Sequence, residues 1–447
     1  MRGAGRGGFG VQAIDESLTR DQAKGVLRRL GRMLRPWRGR VVGSVALLVG
    51  QTACLLAGPA LVAYGIDAGL RENDPVHWHA EPDGPGFWVL TTWEDVAGSG
   101  RQPDLFSSEP TIMIPDPDAG SIQPRDSRHK MMLMMDPPQH TQFRRLISRE
   151  FTRGPAAALR SRIRELAGQI IDEVIARGEC DFVSDVAGEL PSYVIADLMG
   201  IPLQDGRKLY TLTEILHSAP EALEPGAQLK AGMEMFAYAE QVYKQKLAHP
   251  TTDLASQIVQ AELDGERLDL IDFQLFFMLL IDAGGDTTRN LVAGGLYELL
   301  KNPDTMAALR GDLSFVPQAR DEMLRVVSPV IYMRRTATRD TGLRGKKIRA
   351  GDKVVRYFGA ANHDPKQFSD PARFDITRKS NAQIAFGTGT HVCLGQHIAR
   401  VEIDCMLGEV LTRLKDITLA KPPEWLASNF ISGIRAMPIS FTASSNP

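Results

Sequence analysis

The chain has 447 residues, 43% of them hydrophobic and 24% charged, with a formal net charge of −2. That length suits one large domain or two, and the near-neutral balance gives no global case for nucleic-acid binding. The four cysteines, Cys54, Cys180, Cys393 and Cys405, form no Cys-x-x-Cys pair, so neither a disulfide framework nor a zinc site is indicated, and a reducing, cytoplasmic setting is expected.

The N-terminus is basic. Residues 1–40 hold ten Lys/Arg against three Asp/Glu, a local charge of +7. Residues 1–14 are rich in Gly and Arg and are expected to be disordered. Residues 16–37 read as a basic amphipathic helix, with Leu30, Leu34 and Trp37 among its apolar positions. The 26 residues 41–66 carry no charge, enough to cross a bilayer, which takes about 20 apolar residues. A transmembrane helix is expected there, with the preceding arginines on the cytoplasmic side. Gly43, Gly50, Gln51, Gly58 and Pro59 make the run only moderately hydrophobic, which leaves a buried soluble helix as the alternative.

From residue 75 the texture is that of a soluble enzyme. Residues 76–79 and 87–91 are strand-like around a turn at Asp83-Gly84-Pro85-Gly86. Helical patterns then cover 155–178, 190–200, 205–218, 226–248, 268–301 and 314–327, with short strands near 353–357 and 439–441.

Four patches of this region carry chemistry. His140 and Arg144 are four apart and share a helical face behind Pro137-Pro138. Ala283-Gly284-Gly285-Asp286-Thr287-Thr288 lies inside a long apolar helical pattern. Two adjacent glycines there cost roughly 1 kcal/mol each relative to alanine, and the pattern resumes at once, so a local bulge at a functional site is expected. Glu322 and Arg325 are three apart on one face. Residues 386–395 read Phe-Gly-Thr-Gly-Thr-His-Val-Cys-Leu-Gly. There Gly387, Gly389 and Gly395 are expected to allow positive φ. Cys393 stands at the start of a helix, whose N–H groups and dipole should lower its pKa. On its own, Cys393 reads as an inert buried thiol, which is what most free cysteines are.

Phe386, Gly387, Gly389, His391, Cys393 and Gly395 resemble, position for position, the haem-binding loop of the cytochrome P-450 family. The other patches fall in that family's order. The resemblance implies a mainly α fold with small β-sheets, the haem lying between a long central helix and the cysteine-loop helix. It implies haem b (iron protoporphyrin IX) with Cys393 as the axial iron ligand. His140, Arg144, Arg335 and His391 would meet the propionates, with Arg334 the alternative to Arg335. Ala283 and Gly284 would line the oxygen groove, Thr287 would offer a hydroxyl to dioxygen, and Asp286 would relay protons. Glu322, Arg325 and Arg373 would form the family's structural Glu–Arg–Arg network. No flavin or iron–sulfur cysteine set is encoded, so electrons from NAD(P)H should arrive through a ferredoxin and a ferredoxin reductase, docking near Arg145 and Arg400.

Residues 328–330, 335–340, 359–362 and 429–433 are similar to bacterial, actinobacterial-type hydroxylases of sterols or methyl-branched lipids. Ile112, Met113, Leu279, Leu280, Val330, Ile331, Phe430 and Ile431 are the expected substrate wall. Any of them could instead be plain core, and a terpene or macrolide would suit the same wall. Residues 30–70 resemble the elbow and first membrane helix of an ABC exporter, without any nucleotide-binding loop downstream. The expected organisation is thus a segment 1–74 and a haem-thiolate monooxygenase domain 75–447, the latter shortened at its N-terminus relative to the family. Rival outcomes are a peroxygenase or isomerase, against which the Asp286-Thr287 pair argues, and a non-catalytic membrane or interaction protein that fails to hold haem.

Overall fold

A computed structural model of the protein describes residues 69–81, 84–116, 129–217 and 223–444, all within one compact unit, Ile66–Pro447. The basic arm and the candidate transmembrane helix 41–66 lie outside the described residues. Among the described residues, no helix is long and apolar enough to cross a membrane.

Helices dominate, and the elements that position the site are few. Strands β1 (Val76–His79) and β2 (Phe87–Leu90) form a hairpin, followed by helix α1 (Trp93–Gly100) and β3 (Phe106–Ser107). Helices α2 (Gln139–Ile147), α3 (Arg160–Ile175), α4 (Glu189–Met199), α5 (Leu203–His217), α6 (Ala227–Ala248), α7 (Leu270–Lys301) and α8 (Val316–Val327) follow. Strands β4 (Tyr332–Ala337) and β5 (Lys353–Tyr357) then complete a five-stranded sheet in the order β1-β2-β5-β4-β3. Helix α9 (Gln396–Arg413) comes directly after the cysteine loop.

Helix α7 is the axis of the helical layer. Asp269 caps it, its carboxylate accepting from the Asp272 N–H at 2.9 Å, as a short acceptor at an N-cap should. Buried Phe273, Phe276, Phe277 and Leu280 precede the double glycine, and Leu291, Leu296 and Leu299 follow it. This helix is apolar nearly all round because α4, α5, α6, α8 and α9 all pack on it.

The expected bulge at Gly284-Gly285 is absent: α7 runs unbroken for 32 residues. Gly285 serves close helix packing instead, whereas Gly284 has room for a methyl. A Cβ on Gly285 would lie 3.1 Å from the Tyr210 ring on α5, and one on Gly284 would lie 3.5 Å from Ile195 on α4.

The sheet shows why Arg334 and Arg335 are not interchangeable. Adjacent strand residues point to opposite faces. Arg334 pairs with Asp116 at 2.7 Å and donates to Ile114 O. Arg335 emerges on the face shared by Met333 and, on the neighbouring strand, by Val354.

The structural network differs in one member from the sequence expectation. The buried Glu322 carboxylate accepts from Arg325 Nε and Nη2, each at 2.8 Å. Its second cation is Arg378, whose Nε lies 3.0 Å from Glu322 Oε1. Arg373 is exposed at its side chain and contributes its backbone carbonyl, which accepts from Arg325 and Arg378. The turn through residues 369–378 curls back on Glu322, and this brings the later arginine inward. Arg325 also donates to Asn362 O and Pro371 O, so the network fastens the segment that leads to the cysteine loop.

Candidate active site

The cysteine loop is a set of backbone bonds that leave one sulfur facing inward. Cys393 N–H donates to Phe386 O at 2.8 Å, Gly387 N–H to Ile384 O at 2.8 Å, and Val392 N–H to Gly389 O at 3.1 Å. Gly387 and Gly389 take φ of 74° and 76°, a region closed to most side chains. A Cβ on Gly389 would fall 1.7 Å from Gly100 O, so glycine is also demanded by the approach of α1. Gly395 departs from expectation. Its φ is −77°, and it serves as the N-cap of α9.

The thiol also departs from expectation. Burial pushes the Cys393 pKa up, although hydrogen bonds from the backbone of Gly395 and Gln396 and the nearby charges of Arg144 and Arg400 pull it down. The helix N-terminus acts with the expected sign, but desolvation outweighs it. A sulfur in this position gains most from a directly bonded cation.

A cavity of about 780 Å³ opens beside this sulfur. Cys393, Phe386, Gly387 and Gly395 line it from the loop, and Ala283, Gly284, Asp286 and Thr287 line it from α7. His140, Arg144, Arg335 and His391 also face it. All twelve of these sequence-predicted residues therefore meet at one space. Of the expected substrate wall, Ile112, Met113, Leu279, Leu280, Val330, Phe430 and Ile431 line it as well. Ile331 does not. Its backbone is pinned between Phe430 O and Phe358 N–H, and its side chain packs with Tyr332 and Val355.

On the α7 wall, the Thr287 hydroxyl donates to Ala283 O at 3.1 Å. Asp286 is buried, and its Oδ1 accepts from Arg289 Nη2 at 2.7 Å. Arg289 continues to Glu214, a 41% exposed side chain on α5 that also accepts from the Tyr210 hydroxyl at 3.2 Å. This network connects the cavity wall to solvent.

One rim of the cavity is cationic without acids in contact. Arg144 Nη2 donates to Val392 O and Arg335 Nη1 to Arg334 O, each at 2.8 Å. The rings of His140 and His391 are 4.0 Å apart, and His140 Nδ1 is buried with no hydrogen-bond partner. Burial lowers the His140 pKa to about 4, helped by Arg144 and Arg335, so the ring is neutral at pH 7. Burial likewise brings Arg335 down to about 10. Asp136, the acid whose charge acts on both His140 and Arg335, is engaged with Ser107 and Ser108.

Sequence reasoning missed Arg289, Arg356 and Glu402. Arg356 and Glu402 line the cavity from β5 and α9. Glu402 is buried against Thr288, and burial raises its carboxyl to about 8.

The cytochrome P-450 family model matches residues 208–424. A methyl-branched lipid omega-hydroxylase of Mycobacterium tuberculosis is 35% identical over 392 residues, 85% of this chain and 91% of the relative. The chain belongs to the cytochrome P-450 family. A steroid C26-monooxygenase of Mycolicibacterium smegmatis is 37% identical over 381 residues, covering 84% of this chain and 92% of that one. A solved Mycobacterium marinum P-450 in complex with pseudoionone aligns with a TM-score of 0.78 at 34% identity, over 84% of this chain and 93% of that chain. The fold is thus the P-450 fold, and the protein is a P-450 monooxygenase of a family that works with haem, dioxygen and electrons from redox partners.

The donor set suits haem. One sulfur faces the cavity from the loop 386–395, and a rim of arginines and imidazoles without acid partners matches the need of two propionate carboxylates.

Proposed function

We propose that this P-450 hydroxylates a lipophilic substrate of sterol or methyl-branched lipid type, with haem b seated between α7 and the loop 386–395. Cys393 is the iron ligand. His140, Arg144, Arg335 and His391 hold the propionates, and Phe386, Gly387 and Gly395 shape the sulfur side. When bound, the haem supplies insertion of one atom of dioxygen into a C–H bond, the other atom leaving as water. Thr287 presents a hydroxyl at the α7 wall beside Ala283 and Gly284. Asp286 moves protons toward it. Arg289 stays protonated, so its part is to hold Asp286 in place.

The substrate class rests on the wall and on the relatives. Besides Leu279, Val330, Ile112 and Phe430, the cavity is lined by Met113, Met131, Met132, Met134, Met278 and Met333. Thioethers are unbranched and adaptable, and they suit a bulky or branched apolar ligand. The relatives named for methyl-branched lipids and for steroids support the same class. Electrons from NAD(P)H come through a ferredoxin and its reductase. The ferredoxin docks on the cysteine side near exposed Arg145 and near Arg400, whose guanidinium lies 4.5 Å over the Phe386 ring. The domain 75–447 is the catalytic one, in the cytoplasm, with residues 41–66 as its anchor.

The single observation that carries the reading is the meeting of Cys393, Thr287 and the cationic rim at one apolar cavity. The test is a carbon monoxide difference spectrum of the reduced protein, in wild type and Cys393→Ser. A thiolate-type band lost in the variant is expected, and a folded chain that takes up no haem sinks the proposal. Screening sterols and branched fatty acids with NAD(P)H and redox partners then tests the substrate class. Products formed with peroxide but never with NAD(P)H favour a peroxygenase. Membrane release on deleting residues 1–70 tests the anchor.

A further inference from the structure

Arg356 occupies a position where strand periodicity calls for an apolar residue. It lies on β5, a strand paired with neighbours on both sides, and it shares its face with Val354, which packs into the cluster of Leu90, Val96 and Phe358. The side chain is 1% exposed. Its Nε and Nη2 donate to Val96 O at 3.2 and 3.0 Å, and Nη2 also donates to Thr388 Oγ1 at 2.9 Å. These acceptors are all neutral, and Arg356 forms no ion pair among the described residues.

Burying a cation beside neutral acceptors alone costs several kcal/mol. Here the cost is compounded, because the charge of Arg335 on the paired strand acts against it. Packing does not account for the residue, since an aliphatic side chain fills such a site without that cost. The seat is nevertheless built for it. A Cβ on Gly100 would lie 2.2 Å from Arg356 Nη2 and 2.3 Å from Thr388 Oγ1, so α1 ends in glycine where the pair needs room. The guanidinium lines the cavity together with Arg335 and His391.

We infer that Arg356 is a further cofactor-positioning residue, a third arginine that meets the propionate carboxylates and, through Thr388, ties the cysteine loop to them. The inference rests on the haem reading above. It goes beyond it in assigning a residue that no recognised motif contains. The anionic group removes the uncompensated charge that β5 carries, and Thr388 fixes the guanidinium so that it faces the cavity.

The test measures haem loss from the ferric protein to a haem-scavenging apoglobin, with protohaem and with its dimethyl ester. Arg356→Met should lose protohaem about tenfold faster than wild type or more, the effect of one charge-assisted hydrogen bond. Arg356→Lys should recover part of that loss. Thr388→Val, which keeps the charge but frees its orientation, should move in the same direction by less. With the dimethyl ester, whose carboxylates are blocked, wild type and Arg356→Met should lose haem at the same rate. Equal acceleration with both porphyrins, or none with protohaem, overturns the assignment and leaves Arg356 a structural residue. A wild-type chain that binds neither porphyrin overturns the haem reading itself, which separates the two failures.

Discussion

Arg289 Nη2 donates to Asp286 Oδ1 at 2.7 Å, and both side chains are buried. The same guanidinium bonds Glu214 and lies 5.0 Å over the Tyr210 ring. Removing one partner of a buried pair leaves an uncompensated charge, at a cost of about 3–5 kcal/mol. Arg289→Leu is therefore expected to lower the unfolding free energy by roughly that amount. Asp286→Asn should cost less, because Glu214 still compensates Arg289. Its effect belongs to turnover, where loss of a positioned acid should cut NAD(P)H-coupled product by about 10²-fold with the carbon monoxide spectrum unchanged. Denaturant titration and product quantification check the two halves. Unchanged turnover in Asp286→Asn counts against its role.

Arg373 and Arg378 offer a sharper comparison. Arg378 Nε contacts both Glu322 oxygens, at 3.0 and 3.2 Å, whereas the exposed Arg373 side chain makes no bond to Glu322. Arg378→Ala leaves Glu322 with one cation fewer in a buried site and should destabilise by about 2–4 kcal/mol. Arg373→Ala should stay within about 0.5 kcal/mol of wild type, as surface substitutions do. Unfolding of the two variants decides the matter, and the reverse ranking would restore the pairing expected from sequence.

The contrast between these arginines marks how far the sequence could be read. Residues fixed by short spacing were legible: the loop 386–395, Asp286-Thr287, and His140 with Arg144 all meet at the cavity. So were helices with long apolar patterns, such as α6, expected at 226–248 and found at Ala227–Ala248. What failed depends on chain path or on burial. Arg378 replaces Arg373 because of how one turn curls. Cys393 has a raised pKa because desolvation outweighs the helix terminus. Arg356 went unassigned because a single arginine inside a short strand belongs to no motif and carries no periodic signal.

Gly284 and Gly285 are adjacent, yet their substitutions should diverge. Alanine is favoured over glycine in a helix interior by about 1 kcal/mol. On Gly284 the added methyl makes an ordinary contact with Ile195 at 3.5 Å. Gly284→Ala should therefore be neutral or stabilising by up to about 1 kcal/mol, while narrowing the cavity it lines and slowing turnover of bulky substrates. On Gly285 the methyl meets Tyr210 Cδ2 at 3.1 Å, and that ring is held by Glu214 and Arg289. Gly285→Ala should gain nothing and lower the melting temperature. Thermal unfolding and substrate competition read out both, and a common effect on stability would refute the packing account.

Glu402 gives the chain a pH signature. Burial raises its carboxyl from the ordinary 4.5 to about 8, and the hydrogen bond with Thr288 opposes this in part. Between those values the folded state binds a proton that the unfolded state has released, so stability falls as pH rises. The contribution is fully present below about 4.5 and is lost as pH passes through about 8. Its full size is on the order of a few kcal/mol. Glu402→Gln keeps the shape and the bond to Thr288 but does not titrate. It should match wild type at about pH 5 and be the more stable protein, by at least about 1 kcal/mol, at about pH 8.5. Denaturant unfolding across that range measures the difference. Parallel curves for the two proteins would mean that Glu402 reaches water when ionised, and that the α9 side of the cavity is wetter than its packing indicates.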